Sequence, residues 1–323
     1  MFKTKITELF GIEYPIVGGT MMWLSRAELV AAISNGGGLG VLASAIFKSK
    51  EEFRDELQKL KSLTKKPFAV NLNMFPSMRP IKNEDYIEVL LDEGVKIVET
   101  SGHQAPTEYV PPLKSAGVKL IHKCVGVKYA RKAESLGVDA VTVVGYENGG
   151  ATGELDIATM VLIPTVADAV RLPVIGGGGI ANGRGLLAAL ALGAEGVIIG
   201  SRFLLSEECP IHPKLKEALI KANERDTMLI MRSLRATHRV WVNEAAMKVK
   251  ELEEKQAGLE ELFPYIAGER AREMFEGGEL SRGILACGQC IGLIREIKPA
   301  GEIIKDIMRE ATAVYKSLEP KAG

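Results

Sequence analysis

The 323-residue chain has few cysteines, no excess of either charge and no long apolar run, and each absence excludes a class of protein. Its four cysteines are too few and too scattered for a disulfide framework. Lysine and arginine together number 41, and aspartate and glutamate together also number 41. The chain therefore has no excess of positive charge that would indicate binding to nucleic acid or to an anionic membrane. No run reaches membrane-spanning length, and the first residues lack the apolar stretch of a signal peptide. We therefore expect a cytoplasmic protein that binds small molecules.

Two familiar sequence signatures are also missing. No Gly-x-Gly-x-x-Gly follows the first predicted strand, so a Rossmann dinucleotide site has no support. No His-x-x-x-His and no carboxylate cluster is present, so we expect no metal site. Cys287 and Cys290 form a single Cys-x-x-Cys without a second pair, and a closely packed turn is favoured there over a redox or metal site.

Short apolar runs alternate with amphipathic helical patterns along the first two thirds of the chain. The predicted strands are residues 15–18, 38–41, 68–71, 95–99, 119–122, 140–143, 173–176 and 196–199. The predicted helices between them include residues 26–35, 51–63, 85–92, 128–136, 157–170 and 184–192. Eight apolar strands alternating with helices indicate a parallel sheet covered by helices, and the count of eight favours an α/β fold of the closed (β/α)8 TIM-barrel type over an open sheet.

The pattern changes after residue 203. Residues 206–282 show no strand-like run, and we predict helices at 213–222, 228–234, 243–254 and 271–275, followed by a final amphipathic helix at 301–317. We therefore expect the barrel to comprise residues 1–204 and 283–323, with residues 205–282 inserted after the eighth strand as a helical cap. Such a cap forms either a lid over the active site or a surface for a homodimer.

Two glycine-rich loops follow the last two predicted strands, at residues 176–179 and at residue 200. Glycine at the end of a strand lets the backbone approach a ligand closely. A helix N-terminus directly after it favours an anion. Two such loops in succession favour the phosphate site that (β/α)8 barrels place after their seventh and eighth strands, rather than a flexible turn.

Eight segments spread over nearly the whole chain carry a resemblance to a known family. They read PIVGGTMMW (15–23), FAVNL (68–72), VKLIHKC (118–124), GYE (145–147), GGGGIAN (176–182), GSRF (200–203), CPIHP (209–213) and IMRSL (230–234). Together these segments resemble the nitronate monooxygenase (formerly 2-nitropropane dioxygenase) family of FMN-dependent TIM barrels. Within it the resemblance is greatest to the branch that includes bacterial NADH:quinone reductases.

The resemblance implies a site for non-covalent FMN. The residues implied along the isoalloxazine ring are Gly19, Thr20, Met21 and Met22, and those at its polar edge are Asn71 and Lys123. The residues implied around the FMN phosphate are Gly149, Gly150, Gly177, Gly178, Gly179, Gly200 and Ser201. A lysine at the pyrimidine edge would stabilise the negative charge that a flavin develops there on reduction.

One departure from the family pattern bears on catalysis. Many relatives carry a histidine, their proposed acid or base, where this chain has Ala151. Because alanine cannot transfer a proton, the catalytic residue stays unassigned, with His103 and Tyr146 as the candidates.

The resemblance implies an FMN-dependent oxidoreductase that takes a hydride from NADH or NADPH and passes electrons to a small acceptor such as a quinone. Hydride transfer to FMN depends on geometry rather than on a protein base, so the loss of the histidine leaves this activity possible. The alternatives are a nitronate monooxygenase that uses O2, a flavin-dependent enoyl-thioester reductase, and a flavin-binding protein whose catalysis has lapsed. The acceptor, the choice of NADH or NADPH and the oligomeric state stay open at this point.

Overall fold

A computed structural model describes residues 2–75, 82–102 and 104–318 of the chain. Within these residues the strands are β1 (Ile16–Gly18), β2 (Gly40–Ala43), β3 (Phe68–Asn73), β4 (Ile97–Ser101), β5 (Lys119–Cys124), β6 (Ala140–Val144), β7 (Gly150–Ala151), β8 (Val174–Gly177), β9 (Gly196–Ile199), β10 (Thr227–Ile230) and β11 (His238–Trp241). Eight of them form one parallel sheet in the order β1-β9-β8-β6-β5-β4-β3-β2. A parallel bridge between Val17 and Leu39 joins its two ends, which gives the expected (β/α)8 barrel.

The helices of the barrel are α1 (Lys5–Phe10), α2 (Ala27–Asn35), α3 (Lys50–Leu63), α4 (Asn83–Asp92), α5 (Val110–Ser115), α6 (Val127–Leu136), α7 (Thr159–Ala167), α8 (Gly183–Ala191), α9 (Ser201–Leu204) and α14 (Ala300–Leu318). The inserted segment contributes α10 (Pro213–Ile220), α11 (Glu244–Glu254), α12 (Leu259–Ile266) and α13 (Gly268–Gly277). None of these helices, within the described ranges, is long and apolar enough to cross a membrane.

Helix α3 illustrates why these segments are helical. The Ser49 side chain accepts a hydrogen bond from the Glu52 backbone N–H and so caps the first turn. Phe53, Leu57 and Leu60 recur at helical spacing and are all fully buried. The helix therefore covers the barrel with one apolar face and leaves its charged face in water.

The barrel has its own interior core, which lies toward the amino ends of the strands. Inward-facing apolar residues from successive strands, such as Val41, Ala69 and Ile121, pack with Ile6 and Phe10 of α1. Helix α1 therefore closes this end of the barrel. The carboxyl ends of the strands face the opposite side, where a TIM barrel carries its active site.

The inserted segment corrects one prediction. Residues 228–234 are not a helix, because β10 and β11 form an antiparallel hairpin across them, and β11 also pairs with β7. The expectation that residues 206–282 contain no strand is therefore wrong as well. Ile230 and Val240 of the hairpin are fully buried in a small core with Ala246, Val249 and Leu262 of α11 and α12, and this packing is a tertiary effect that local sequence pattern does not reveal.

Other predicted elements are confirmed with small shifts of their bounds. The strand predicted at 38–41 begins two residues later, as β2. The predicted helices at 213–222, 243–254, 271–275 and 301–317 correspond to α10, α11, α13 and α14. Sequence patterns gave no sign of α12.

Candidate active site

A cavity of about 950 Å³ lies between the carboxyl ends of the barrel strands and the inserted segment. Residues directly after β1, β3, β4, β5, β6, β8 and β9 line its floor. The inserted segment adds residues from the hairpin and from α13, such as His238, Val240, Ala271 and Phe275. The cavity is therefore where the barrel and the insertion jointly enclose a ligand.

The loop after β8 presents two glycines to this cavity. Gly178 and Gly179 have φ values of +99° and +72°, in the region that side chains rarely adopt. A Cβ atom on Gly178 would lie 2.5 Å from Thr159 Oγ1. Within the described residues, the backbone N–H groups of Gly178, Gly179 and Gly200 donate no hydrogen bond. Three cavity-lining N–H groups are therefore available to an anion.

The helix after this loop does not supply the anion site that the sequence suggested. In α8, the Gly183 N–H donates to Glu310 Oε2 at 2.7 Å, and the Gly185 N–H donates to Asn182 Oδ1 at 3.0 Å. Because the protein's own side chains occupy these donors, the first turn of α8 is already capped. The short helix α9 begins at Ser201, directly after Gly200, and Ser201 also lines the cavity.

The Cys-x-x-Cys turn packs against this glycine cradle, as expected. Gly288 donates its backbone N–H to Ser201 Oγ at 2.9 Å. A Cβ atom on Gly149 would lie 2.7 Å from the Gly288 nitrogen. Burial raises the pKa of Cys290 to about 11 and that of Cys287 further still, so both thiols stay protonated at neutral pH. Close packing therefore explains the two cysteines.

A buried carboxylate lies beneath the other end of the floor. Glu99 is fully buried, and its Oε2 accepts hydrogen bonds from Thr20 Oγ1 at 2.8 Å and from Asn71 Nδ2 at 2.7 Å. Its Oε1 accepts no hydrogen bond but lies 3.4 Å from Lys123 Nζ. The Asn71 amide also donates to Ser101 Oγ, so both of its N–H groups point to protein acceptors. Lys123 lines the cavity directly above this buried carboxylate.

His122 precedes Lys123 on β5 and also lines the cavity. Its ring is almost fully buried, and burial lowers its pKa to about 4. Its Nδ1 lies 2.9 Å from Thr100 Oγ1. His122 is therefore neutral at physiological pH.

The loop after β1 connects the floor to the insertion. Trp23 has a φ of +68°, which is unusual for a bulky residue, and its Nε1 donates to the Gly268 carbonyl at 3.0 Å. The Arg272 guanidinium lies 5.3 Å from the centre of the Trp23 ring. The backbone strain at Trp23 is thus held by contacts with α13, and the same loop carries Met21 and Met22 along the cavity wall.

The insertion reaches the floor through the pairing of β11 with β7. In this antiparallel pair His238 lies opposite Ala151, and Arg239 lies opposite Gly150. Arg239 is buried, donates from Nε to the Tyr146 carbonyl at 2.9 Å, and lies over the Tyr146 ring. The hairpin is therefore anchored to the loop that follows β6.

The structure gathers most of the residues predicted for the site. Those that line the cavity are Gly19, Thr20, Met21, Met22, Asn71, Lys123, Gly149, Gly150, Gly178, Gly179, Gly200 and Ser201, together with Ala151. Gly177 is instead buried inside β8, where a Cβ atom would lie 2.4 Å from Ile198 Cγ2. Tyr146 packs under Arg239 and is not among the lining residues. His103 lies outside the described residues.

Sequence reasoning missed two groups of functional interest. Glu99 could have been found as a carboxylate near the end of an otherwise apolar strand. His238 gave no such signal, because only the pairing of distant strands brings it into the cavity. No group of three or more His, Cys, Asp or Glu side chains in the described part of the chain is arranged to hold a metal ion.

Comparison with known proteins gives matches that span most of the chain. A family model of nitronate monooxygenase matches residues 3–86 and 77–310. A solved structure of FabK from Thermotoga maritima superposes with a TM-score of 0.91 at 38% identity, covering 99% of this chain and 100% of that one.

Two curated relatives carry more specific names. A (3aS,4S,5R,7aS)-5-hydroxy-7a-methyl-1-oxo-octahydro-1H-indene-4-carboxyl-CoA dehydrogenase from Rhodococcus jostii (strain RHA1) is 41% identical over 239 residues, or 74% of this chain. The match spans 65% of that dehydrogenase, just under two thirds of its length. A probable nitronate monooxygenase from Staphylococcus saprophyticus is 32% identical over 267 residues, covering 70% of this chain and 75% of that protein.

Proposed function

This chain belongs to the nitronate monooxygenase family of flavin-dependent oxidoreductases, and we propose that it binds FMN non-covalently and passes a hydride from NAD(P)H to an α,β-unsaturated acyl thioester. The observation that carries the proposal is the cavity, which has an anion cradle at one end and free lysines at its mouth. When bound, FMN supplies the two-electron hydride chemistry that side chains cannot supply.

The glycine cradle suits the terminal phosphate of FMN. The N–H groups of Gly178, Gly179 and Gly200 are available, and Ser201 lies beside them at the start of α9. The turn at Gly288 packs directly against Ser201 and closes the cradle on that side. A terminal phosphate fits such a closed cradle better than the pyrophosphate of a dinucleotide does.

Lys123 is the residue that would tune the cofactor. Its ammonium group faces the cavity, while the buried Glu99 carboxylate behind it fixes the position of that charge. A positive charge held at the polar edge of a flavin favours the anion that forms there when the ring accepts electrons. Met21, Met22 and Trp23 line the adjacent wall and limit the access of water.

The mouth of the cavity favours a substrate that carries phosphate. Lys128 and Lys132 lie one turn apart on α6, are exposed, and line the cavity. Neither forms an ion pair with any residue in the described ranges. Since a relative at 41% identity is named as a carboxyl-CoA dehydrogenase, a CoA thioester is the acceptor class that matches these lysines.

The test is anaerobic rapid mixing of the purified flavoprotein while the flavin absorbance is followed. We expect NADH or NADPH to bleach the flavin quickly, and crotonyl-CoA to restore its absorbance afterwards. Restoration by menadione but not by crotonyl-CoA would instead support the quinone acceptor expected from the sequence. Bleaching by ethylnitronate without NAD(P)H would support the monooxygenase, and no bleaching by any donor would support a binding protein.

A further inference from the structure

Two of the described histidines line the cavity, and they come from different parts of the fold. His122 lies on β5 of the barrel floor, and His238 lies on β11 of the inserted segment. A cavity-lining imidazole is the group best suited to exchange protons near neutral pH. The environment of each ring therefore decides which of them can take part in chemistry.

His122 and the cavity's cysteines are poorly suited to proton transfer. Burial keeps His122 neutral by lowering its pKa to about 4, and it raises the pKa of Cys124 to about 12 and that of Cys290 to about 11. Lys123 is paired with Glu99, while Lys128 and Lys132 lie at the mouth. These positions leave His238 as the other described imidazole that lines the cavity.

The pairing of β7 with β11 places His238 in the cavity lining beside Ala151. Directly opposed residues of an antiparallel pair project their side chains to the same face of the sheet, with Cβ atoms about 5 Å apart. His238 and Ala151 are such a pair, and both line the cavity. Because Ala151 has only a methyl group, His238 carries the titratable side chain of this pair.

One hydrogen bond fixes the proton on this ring. His238 Nδ1 lies 2.6 Å from the carbonyl oxygen of Ala236. A carbonyl can only accept, so Nδ1 must carry the hydrogen of this bond. In the neutral ring Nε2 then holds the lone pair, and in the charged ring Nε2 holds a transferable proton.

We propose that His238 Nε2 is the acid–base group of the reaction, which takes over from the opposite strand the task that Ala151 cannot perform. The inference rests on the proposed function. The substrate's C=C π bond breaks as the hydride that originates from NAD(P)H forms the new bond at the β-carbon. The π electron pair takes the proton from His238 Nε2 to form the α-carbon–hydrogen bond, and solvent then reprotonates the neutral imidazole.

The test separates the two steps of the reaction in wild type and in His238→Ala. We expect His238→Ala to leave bleaching by the pyridine nucleotide that reduces wild type within about twofold of the wild-type rate, and to slow the recovery with crotonyl-CoA about a hundredfold. The double variant Ala151→His/His238→Ala restores a histidine on the partner strand. Its recovery with crotonyl-CoA should be at least about tenfold faster than that of His238→Ala. His212→Asn, which lies outside the cavity lining and keeps an acceptor at the N-cap of α10, should leave both steps unchanged.

Nitrogen NMR of the protein labelled in its histidine side chains gives a readout that does not depend on turnover. The His238 resonances, assigned by their absence in His238→Ala, should show that the neutral form of the ring carries its proton on Nδ1. A neutral ring protonated at Nε2, or recovery by crotonyl-CoA at the wild-type rate in His238→Ala, would overturn the inference. Failure of wild type itself to recover with crotonyl-CoA would overturn the proposed function instead.

Discussion

The cavity has a glycine end, formed by the loops after β8 and β9, and a hairpin end, formed by β10 and β11 of the inserted segment. The two ends offer different chemical groups to a ligand. At the glycine end, the groups offered to a ligand are backbone N–H groups held by loops that follow β8 and β9. At the hairpin end, the group offered is one imidazole, carried by a strand of the inserted segment. Binding of a phosphate thus depends on backbone shape, whereas the proposed proton transfer depends on a single side chain.

This division explains how one barrel can retain a cofactor while its chemistry changes. The cradle is surrounded by close contacts, such as those that a Cβ on Gly178 or Gly149 would violate. Ala151 belongs to a two-residue strand whose partner comes from the insertion. A side-chain change on the insertion, such as one at His238, therefore alters the hairpin end without replacing any of the cradle's glycines.

The largest expected effect comes from breaking the glycine end. Gly178→Asp introduces a side chain at a φ of +99°, 2.5 Å from Thr159 Oγ1, and sets a carboxylate against the expected phosphate. Because like charges in contact cost several kcal/mol, we expect the protein to be purified with less than about a tenth of the normal flavin. Gly258→Asp is the control, since it lies at the N-cap of α12 with open space around it and should keep its colour. Full flavin in Gly178→Asp would show that the cradle lies elsewhere.

A second prediction sharpens the contrast between the two histidines. The pKa of His122 is lowered to about 4, so below about pH 6.5 the unfolded chain binds a proton that the folded protein does not. The contribution of the neutral His122 ring to the free energy of unfolding is therefore complete above about pH 6.5 and is lost as the pH falls toward 4. The loss amounts to about 3 kcal/mol, from about 2.5 pH units at 1.36 kcal/mol each.

Urea unfolding at a series of pH values measures this contribution. Between about pH 7 and pH 4, the wild type should lose about 3 kcal/mol more than His122→Asn, which keeps a polar group beside Thr100. Parallel curves for the two proteins would mean that His122 titrates normally in the folded state.

The third prediction concerns the lysines at the mouth. The double variant Lys128→Glu/Lys132→Glu should raise the KM for crotonyl-CoA about tenfold at low salt and leave kcat nearly unchanged, because these exposed charges act on binding. The matched control is Lys96→Glu/Lys119→Glu, which makes the same charge change at the amino ends of β4 and β5. Equal KM values in the two double variants would remove the phosphate-binding role of the α6 lysines.

The smallest expected effect concerns the fixed charges of the floor. Glu99→Gln removes the anion behind Lys123, so the flavin midpoint potential should rise by about 20 mV, or ~1 kcal/mol for a two-electron couple. Lys123→Met should lower the potential instead. Equilibration with a reference dye measures both, and shifts of the same sign in the two variants would contradict the assigned roles.

The glycine end could be predicted from the sequence because its signals are local. Glycines at strand ends, such as Gly178 and Gly200, indicate by their position alone that the backbone can approach a ligand closely. Even there the sequence could not show that Glu310, from α14, caps the first turn of α8 in place of a ligand. The barrel was predictable for the same reason, since each strand is a short apolar run with its own turn signals.

The hairpin end could not be predicted because its contacts join distant residues. Thr152 and Thr237, which extend the pairing of β7 with β11, are 85 residues apart in the sequence. The run from Met228 to Leu234 is apolar at a spacing compatible with either helix or strand, and only the packing of Ile230 against Val240 decides between them. Only the folded structure therefore shows that His238 lines the cavity.

The most direct measurement is a crystal structure of the protein with FMN bound. We predict that the phosphate accepts hydrogen bonds from the N–H groups of Gly178, Gly179 and Gly200, with the polar edge of the ring at Lys123 and its open side toward His238. A phosphate bound elsewhere would contradict this account of the site. The groove lined by Arg202, Arg295 and Arg309 is the alternative anion site that such a result would indicate.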